Sequence, residues 1–282
     1  MRRRILIIAV VLACHLQALC QYTEARRVDS LKIENLKELL PTLKDTARIK
    51  CLNSISEKYR FFYASGGFAH RYDSIYYYAS KAYNESQAIG YKYGIAYSLL
   101  NMASSAKNKS QQDSNAKNYI LQAMRLGEEI HNDKITGWAY YLLAGYADRI
   151  ENWKKSVHYF HKSNDPREGE VSTWLCMFYS DKGEYENGFD YCQKGLQLTK
   201  LNASTEWGHE LVQWSLFNMA VLYKVAGDYE TAMSYLTQSR QHGKVYSLDW
   251  RMEDQIGKLF ILMNQPDSAI YYLQRFNPTC YL

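Results

Sequence analysis

From about residue 45 onward, apolar and small residues return at helical spacing in paired segments separated by short polar breaks. The clearest unit reads Leu216, Met219, Ala220 and Tyr223, then Gly227-Asp228-Tyr229, then Ala232 and Leu236. Steps of three and four residues keep these side chains on one helix face. The glycine suits the left-handed backbone that ends a helix, so the chain turns back there. Ala220 and Ala232 are small enough for the two helices to approach closely. The same frame occurs at Leu175, Cys176, Tyr179, Gly183-Glu184-Tyr185, Gly188 and Cys192. It occurs again at Ile256, Gly257, Phe260, Asn264-Gln265-Pro266, Ala269 and Leu273. Upstream it loosens: Tyr140, Leu143, Ala144, Glu151-Asn152-Trp153, Ser156 and Phe160; then Asn101-Met102-Ala103 with Ala116 and Ala123; then Ile75 with Ala79 and Ala82.

This pattern predicts six antiparallel helix pairs: 45–63 with 73–89, 92–107 with 112–131, 134–149 with 152–163, 170–181 with 185–199, 206–226 with 229–241, and 248–263 with 266–276. A lead-in helix over 27–40 ends at Pro41, and Gly66-Gly67 reads as a turn. Asp165 to Gly169 shortens the third pair, and Asn202 to Thr205 is the longest linker. The equivalent positions Ile75, Ala116, Ser156, Gly188, Ala232 and Ala269 lie 41, 40, 32, 44 and 37 residues apart.

Composition adds three points. Tyrosine occurs 26 times against 9 Phe, and a ring that is apolar along its body and polar at its tip suits half-buried surfaces. Second, Arg2 to Arg4 followed by the apolar run Ile5–Cys14 and the small residues Ala18 and Cys20 reads as an export signal over 1–20. That run is half of the roughly twenty residues a membrane span needs. Val11-Leu12-Ala13-Cys14 offers the alternative of a lipoprotein anchored at Cys14. Third, the formal charge of +5 includes the three leader arginines, so the remaining chain carries only +2, and no cluster of five basic residues predicts nucleic-acid binding. The domain plan is therefore signal peptide 1–20, lead-in 21–44, repeat array 45–276 and tail 277–282.

The residues of the helical frame resemble the tetratricopeptide repeat, whose standard unit has about 34 residues. More narrowly, Leu52-Asn53, Tyr59-Arg60, Asp73-Ser74-Ile75 through Ala79, and Ile89-Gly90 through Gly94-Ile95-Ala96 look like the N-terminal periplasmic regions of Bacteroidetes sensor histidine kinases and helix-turn-helix regulators. The resemblance implies an all-α, right-handed α-solenoid of about six hairpins, exported to the periplasm or cell envelope. It also implies a membrane helix and signalling domain downstream, of which Met1–Leu282 holds no motif.

Catalytic and cofactor fingerprints do not occur: no G-x-S-x-G, HExxH, Walker or dinucleotide glycine motif. The reading is therefore non-enzymatic, with no cofactor. His158 and His161 are one turn apart without a third ligand, which leaves them a helix face rather than a metal site. Cys176 and Cys192 face each other in the repeat frame, as packed small hydrophobes or as a disulfide if their Cα atoms lie within about 7 Å.

The remaining constellation is a surface. In such a stack the first helix of each pair lines the concave face. Its outward positions give Tyr97, Asn101, Trp138, Tyr141, Arg149, Trp174, Met177, Trp214, Asn218, Val221 and Lys258. Aromatic residues and Arg are the types enriched in binding hot spots. The expected partner is a protein or peptide, with the membrane reached only through a lipid anchor or a downstream segment. A structural scaffold of an envelope assembly is the alternative.

Overall fold

A computed structural model of the chain describes residues 31–61, 67–105, 113–201, 206–241 and 246–275. The leader with Cys14 and Cys20, the linker 202–205, Cys280 and the tail lie outside these. Helix α1 covers 31–39 and runs into a 3-10 turn at Leu40–Thr42, where Pro41 ends it. Six helix pairs follow. They are α2 (Asp45–Phe61) with α3 (Gly67–Ala88), α4 (Lys92–Ser105) with α5 (Asp113–Glu129), α6 (Asp133–Leu143) with α7 (Arg149–Lys162), α8 (Arg167–Lys182) with α9 (Tyr185–Leu201), α10 (Glu206–Val225) with α11 (Tyr229–Gln241), and α12 (Tyr246–Leu262) with α13 (Pro266–Arg275). The fold is all-α, a helical repeat of consecutive hairpins.

The described residues divide into two compact units, within Arg26–Val171 and within Ser172–Leu282, and the boundary falls inside α8. In the first unit α4 also touches both α2 and α6 directly; in the second, α10 touches α12. All six frame positions are buried, from Ile75 and Ala116 through Ser156 and Gly188 to Ala232 and Ala269. Small residues there let backbone meet side chain. Ser156 Oγ donates to the Gly137 carbonyl at 2.8 Å, Ser56 to Ile75 at 2.8 Å and Ser239 to Gln213 at 2.9 Å. At Gly188 even a methyl group would stand 2.8 Å from Tyr179 Cβ.

One turn is used six times. At Gly90, His131, Asn164, Gly183, Gly227 and Asn264 the backbone φ is positive, between 50° and 84°. At each, the next residue donates to the carbonyl five residues back, as in Asp228 N to Tyr223 O at 3.0 Å and Gln265 N to Phe260 O at 2.8 Å. This is the Schellman closure of a helix C-terminus. In the last three hairpins it joins the two helices of a pair; at Gly90, His131 and Asn164 it joins one pair to the next.

The tyrosine excess has a structural destination. Tyr59–Tyr78, Tyr140–Tyr159, Tyr179–Tyr191, Tyr223–Tyr235 and Phe260–Tyr272 are stacked pairs with ring centroids 5.4–6.1 Å apart. Each pair joins the two helices of one hairpin. In the last three hairpins the partners are 12 residues apart in sequence, and in the first and third 19. In the fourth hairpin Cys176 and Cys192 are joined by a disulfide with Cα atoms 4.7 Å apart, and Cys51 is a free, buried thiol.

Two local expectations are corrected. Glu151-Asn152-Trp153 is not a turn but lies within α7; the chain reverses at 144–148, where Asp148 adopts φ +40°. Asn152 Nδ2 instead donates to the Ala147 carbonyl at 2.7 Å, tying the turn to the helix. Gly67 opens α3 rather than preceding it.

Gly227 has no atom within 4 Å of a notional Cβ, so any cost of a side chain there is purely backbone strain. Gly227→Ala is predicted to lower stability by about 1–2 kcal/mol, and Asn264→Gly to leave it equal or raise it. Urea midpoints of the two variants measure both signs.

Candidate functional site

Within the first unit, the first helices α2, α4 and α6 line an open groove of about 500 Å3. Ile49, Lys50, Asn53, Ser54 and Glu57 come from α2, Tyr93, Gly94 and Tyr97 from α4, Lys134 from α6, and Tyr91 from the turn before α4. The three tyrosines form one wall, with centroids 5.9 Å apart from Tyr91 to Tyr93 and 5.7 Å from Tyr93 to Tyr97. Tyr97 then meets Trp138 edge-on at 5.0 Å. Gly94 makes room for this wall, because a Cβ there would lie 2.5 Å from the Tyr91 ring. The floor is polar: Asn53 Oδ1 accepts from Ser98 at 3.1 Å and from Asn101 at 3.2 Å.

Behind the wall lies a network of buried charges. Arg167, at the start of α8, sends Nε to Asp165 Oδ1 at 3.0 Å, and its Nη2 lies 3.5 Å from Glu57 Oε1. Its guanidinium lies over the fully buried Trp138 ring at 4.4 Å. Three residues along both helices, Arg60 Nη2 meets Glu170 Oε2 at 3.2 Å. Thus Glu57-x-x-Arg60 on α2 faces Arg167-x-x-Glu170 on α8 in the same direction. Lys134 Nζ reaches Asp165 Oδ2 at 3.2 Å, and the Tyr97 hydroxyl donates to Glu57 Oε2.

The protonation states follow. Burial pushes the Glu57 carboxyl upward, but Arg167, the Tyr97 hydroxyl, Arg60 and Lys134 together outweigh it and hold Glu57 below its ordinary value. Asp165 is held low in the same way, with burial opposed by Arg167 and Lys134. Burial first, then Glu57, drives the Tyr97 phenol well up, and burial pushes Tyr93 up to about 12. Both tyrosines are therefore neutral donors at physiological pH.

The eleven sequence-selected residues have varied placements. Tyr97 belongs to the groove wall but is buried, only 7% exposed, with its hydroxyl on Glu57. Asn101 is buried and ties α4 to α2 through Asn53. Trp138 is fully buried beneath two guanidinium groups, Arg167 and Arg60, so it does not present its face to a ligand. Tyr141 is half-buried and donates to Glu170 Oε1 at 2.8 Å. Arg149 opens α7, a second helix, where it lies over Trp153 at 5.8 Å.

In the second unit Trp174 and Met177 are half-buried, and Trp214 packs edge-on against Phe217 with Arg251 at 5.7 Å from its ring. Asn218 is buried, Val221 packs against the Phe217–Leu259 core, and exposed Lys258 pairs with Asp254 at 2.8 Å. His158 and His161 are not brought together on a ligand: His158 lies against Tyr159, and His161 Nδ1 lies 3.1 Å from Glu168. No group of three metal-ligating residues occurs among the described residues. Sequence reasoning missed Lys50, Glu57, Tyr93, Lys134 and Arg167. For Glu57 and Arg167 the visible signal was a charge within a repeat helix, but each is explained by the other, 110 residues away in the sequence.

Comparison with known proteins yields fold similarity only. No family model matches the chain, and no curated protein matches it in sequence. Among solved structures it is similar to a Rap protein complexed with competence and sporulation factor. The TM-score is 0.57 and the identity 15%, over 90% of this chain and 71% of that one.

Removing one member of a buried ion pair costs about 3–5 kcal/mol, so Arg167→Ala is predicted to destabilise the chain by that amount. The pH dependence has a definite sign. Carboxyls held below their unfolded values of roughly 4 contribute stability above that pH and lose it as pH falls through the depressed folded values. Denaturation monitored from pH 6 down to 2 is expected to show a loss of stability below about pH 4 that is shallower in Glu57→Gln.

Proposed function

We propose that the first unit binds an extended segment of another protein in the groove between α2, α4 and α6, and that the protein is a recognition module rather than an enzyme. The observation that carries this is the groove itself: a wall of three tyrosines, 5.7–5.9 Å between successive rings, beside polar and cationic side chains. Rigid aromatic surface with few polar anchors suits peptide recognition, because two-χ side chains lose little entropy on binding. The buried network keeps the wall preorganised. The fold neighbour, solved with a bound factor, supports a binding role. The carboxylates near the groove support a non-catalytic reading: Glu57, Asp165 and Glu170 are each bound to a cation, which leaves none poised as a general base.

The finer reading is that this binding serves the cell envelope, as the sensory part of a signalling system. It rests on the leader over 1–20 and on the resemblance to exported sensor regions, with attachment through Cys14 as the alternative processing.

Affinity capture from envelope extract tests the groove. Tyr93→Ala, which removes the middle ring, is predicted to lower partner recovery at least about tenfold, corresponding to a hot-spot loss near 1.4 kcal/mol, with the folded content unchanged by circular dichroism. Undiminished recovery by a folded Tyr93→Ala protein would rule the groove out. The mass of the mature N-terminus tests export: a start at Gln21 supports the cleaved signal, a lipidated Cys14 the anchor, and an intact Met1 neither.

A further inference from the structure

We infer that the segment held in this groove carries an acidic side chain, seated between Lys50 and Lys134 with its neighbours against the tyrosine wall. This rests on the groove being a peptide site, and names the chemistry of its occupant.

The argument is one of charge. Four cations, Lys50, Arg60, Lys134 and Arg167, stand in or behind the groove against three carboxylates, Glu57, Asp165 and Glu170. The carboxylates are spent internally: Asp165 on Arg167 and Lys134, Glu170 on Arg60 and Tyr141, Glu57 on Arg167 and Tyr97. Lys50 makes no ion pair with any described residue and is exposed at the rim. Lys134 shares its carboxylate with Arg167, and its side chain remains 40% exposed. The ligand-facing surplus is therefore positive.

A rival chemistry is available in the same residues. Tyrosine rings beside a carboxylate can form a cage for a cation. Here both Glu57 oxygens are engaged, by Arg167 and by the Tyr97 hydroxyl, and two ammonium groups line the same groove. Seating a third cation would set like charges together, which disfavours a partner. Because the groove is open, a segment runs along it and supplies its anion from a side chain rather than from its end.

Fluorescence polarisation with oriented peptide pools tests this. Octapeptides acetylated and amidated at their ends carry Glu, Gln or Lys at one fixed central position, with uncharged residues randomised elsewhere; a fourth pool carries central Gln and a free C-terminal carboxylate. Wild type is expected to bind the Glu pool about five- to tenfold more tightly than the Gln pool, the scale of an exposed charge pair made by two lysines, and the Lys pool least. In Lys50→Gln the Glu preference shrinks, in Lys50→Glu it reverses in favour of the Lys pool, and Lys50→Arg retains it. Lys50 is exposed, so these variants keep the fold.

Equal binding of the Glu and Gln pools overturns the inference while leaving the peptide groove standing, provided Tyr93→Ala abolishes both. A tightest Lys pool overturns it in favour of the cation cage. A free-carboxylate Gln pool that matches the amidated Glu pool overturns it in favour of a chain end. Binding of no pool at all removes the peptide reading itself and this inference with it.

Discussion

A guanidinium whose side chain is only 8% exposed needs charged and aromatic partners, and Arg167 draws them from three segments of the chain. Asp165 takes its Nε, Glu57 of α2 faces its Nη2, and the Trp138 ring of α6 lies beneath it. Losing any one anion would leave charge stranded at low dielectric, which is why such clusters are fixed rather than adjustable. The start of α8 is thereby held to α2, and the parallel Arg60–Glu170 pair repeats the tie one turn on. Glu57, pinned from behind, then orients the Tyr97 hydroxyl, and Tyr97 anchors the tyrosine wall. The shape of the groove is therefore a consequence of charges a ligand does not touch.

The hairpins rest on cheaper devices used repeatedly. A Schellman turn needs only one residue that tolerates positive φ, and the chain supplies Gly three times, Asn twice and His once. Among the described residues a stacked ring pair closes five of the hairpins, adding about 0.5–1.5 kcal/mol each beyond burial. Most of the helix order was legible in the sequence for this reason. Gly183, Gly227 and Asn264 stand inside hairpins, so the small-residue frame around them reads directly. In the first half the same turn joins hairpins instead, at Gly90, His131 and Asn164, and the frame blurs. The third pair was misjudged because the left-handed residue of its reversal is Asp148, whereas Gly145 in the same stretch takes no positive φ and so does not mark it.

The site was legible only in part. Spacing identified Tyr97 as a first-helix residue, and the structure has it in the groove wall. Tyr97 is nonetheless buried, like Trp138 and Asn101 that the same spacing selected, because a helix packed on both sides has fewer free positions than periodicity alone implies. Asp165 to Gly169 read only as the break that shortens the third pair, though the Asp165 carboxylate accepts from the Arg167 N–H and Arg167 holds the cluster together. Nothing local to those residues announces a partner on α2. Contacts across 110 residues depend on how hairpins stack, and that lies beyond the reach of periodicity.

The central claim is that a polypeptide lies against the tyrosine wall. Replacing Tyr93 with a photo-reactive phenylalanine analogue in living cells, beside the same replacement at exposed Tyr77 on α3, tests it most directly. Irradiation is predicted to join position 93, and not position 77, to a polypeptide whose cross-linked stretch is extended and contains an acidic residue. Cross-linking from position 77 with none from position 93 would contradict the account, because the partner would then meet the outer helices and leave the groove empty.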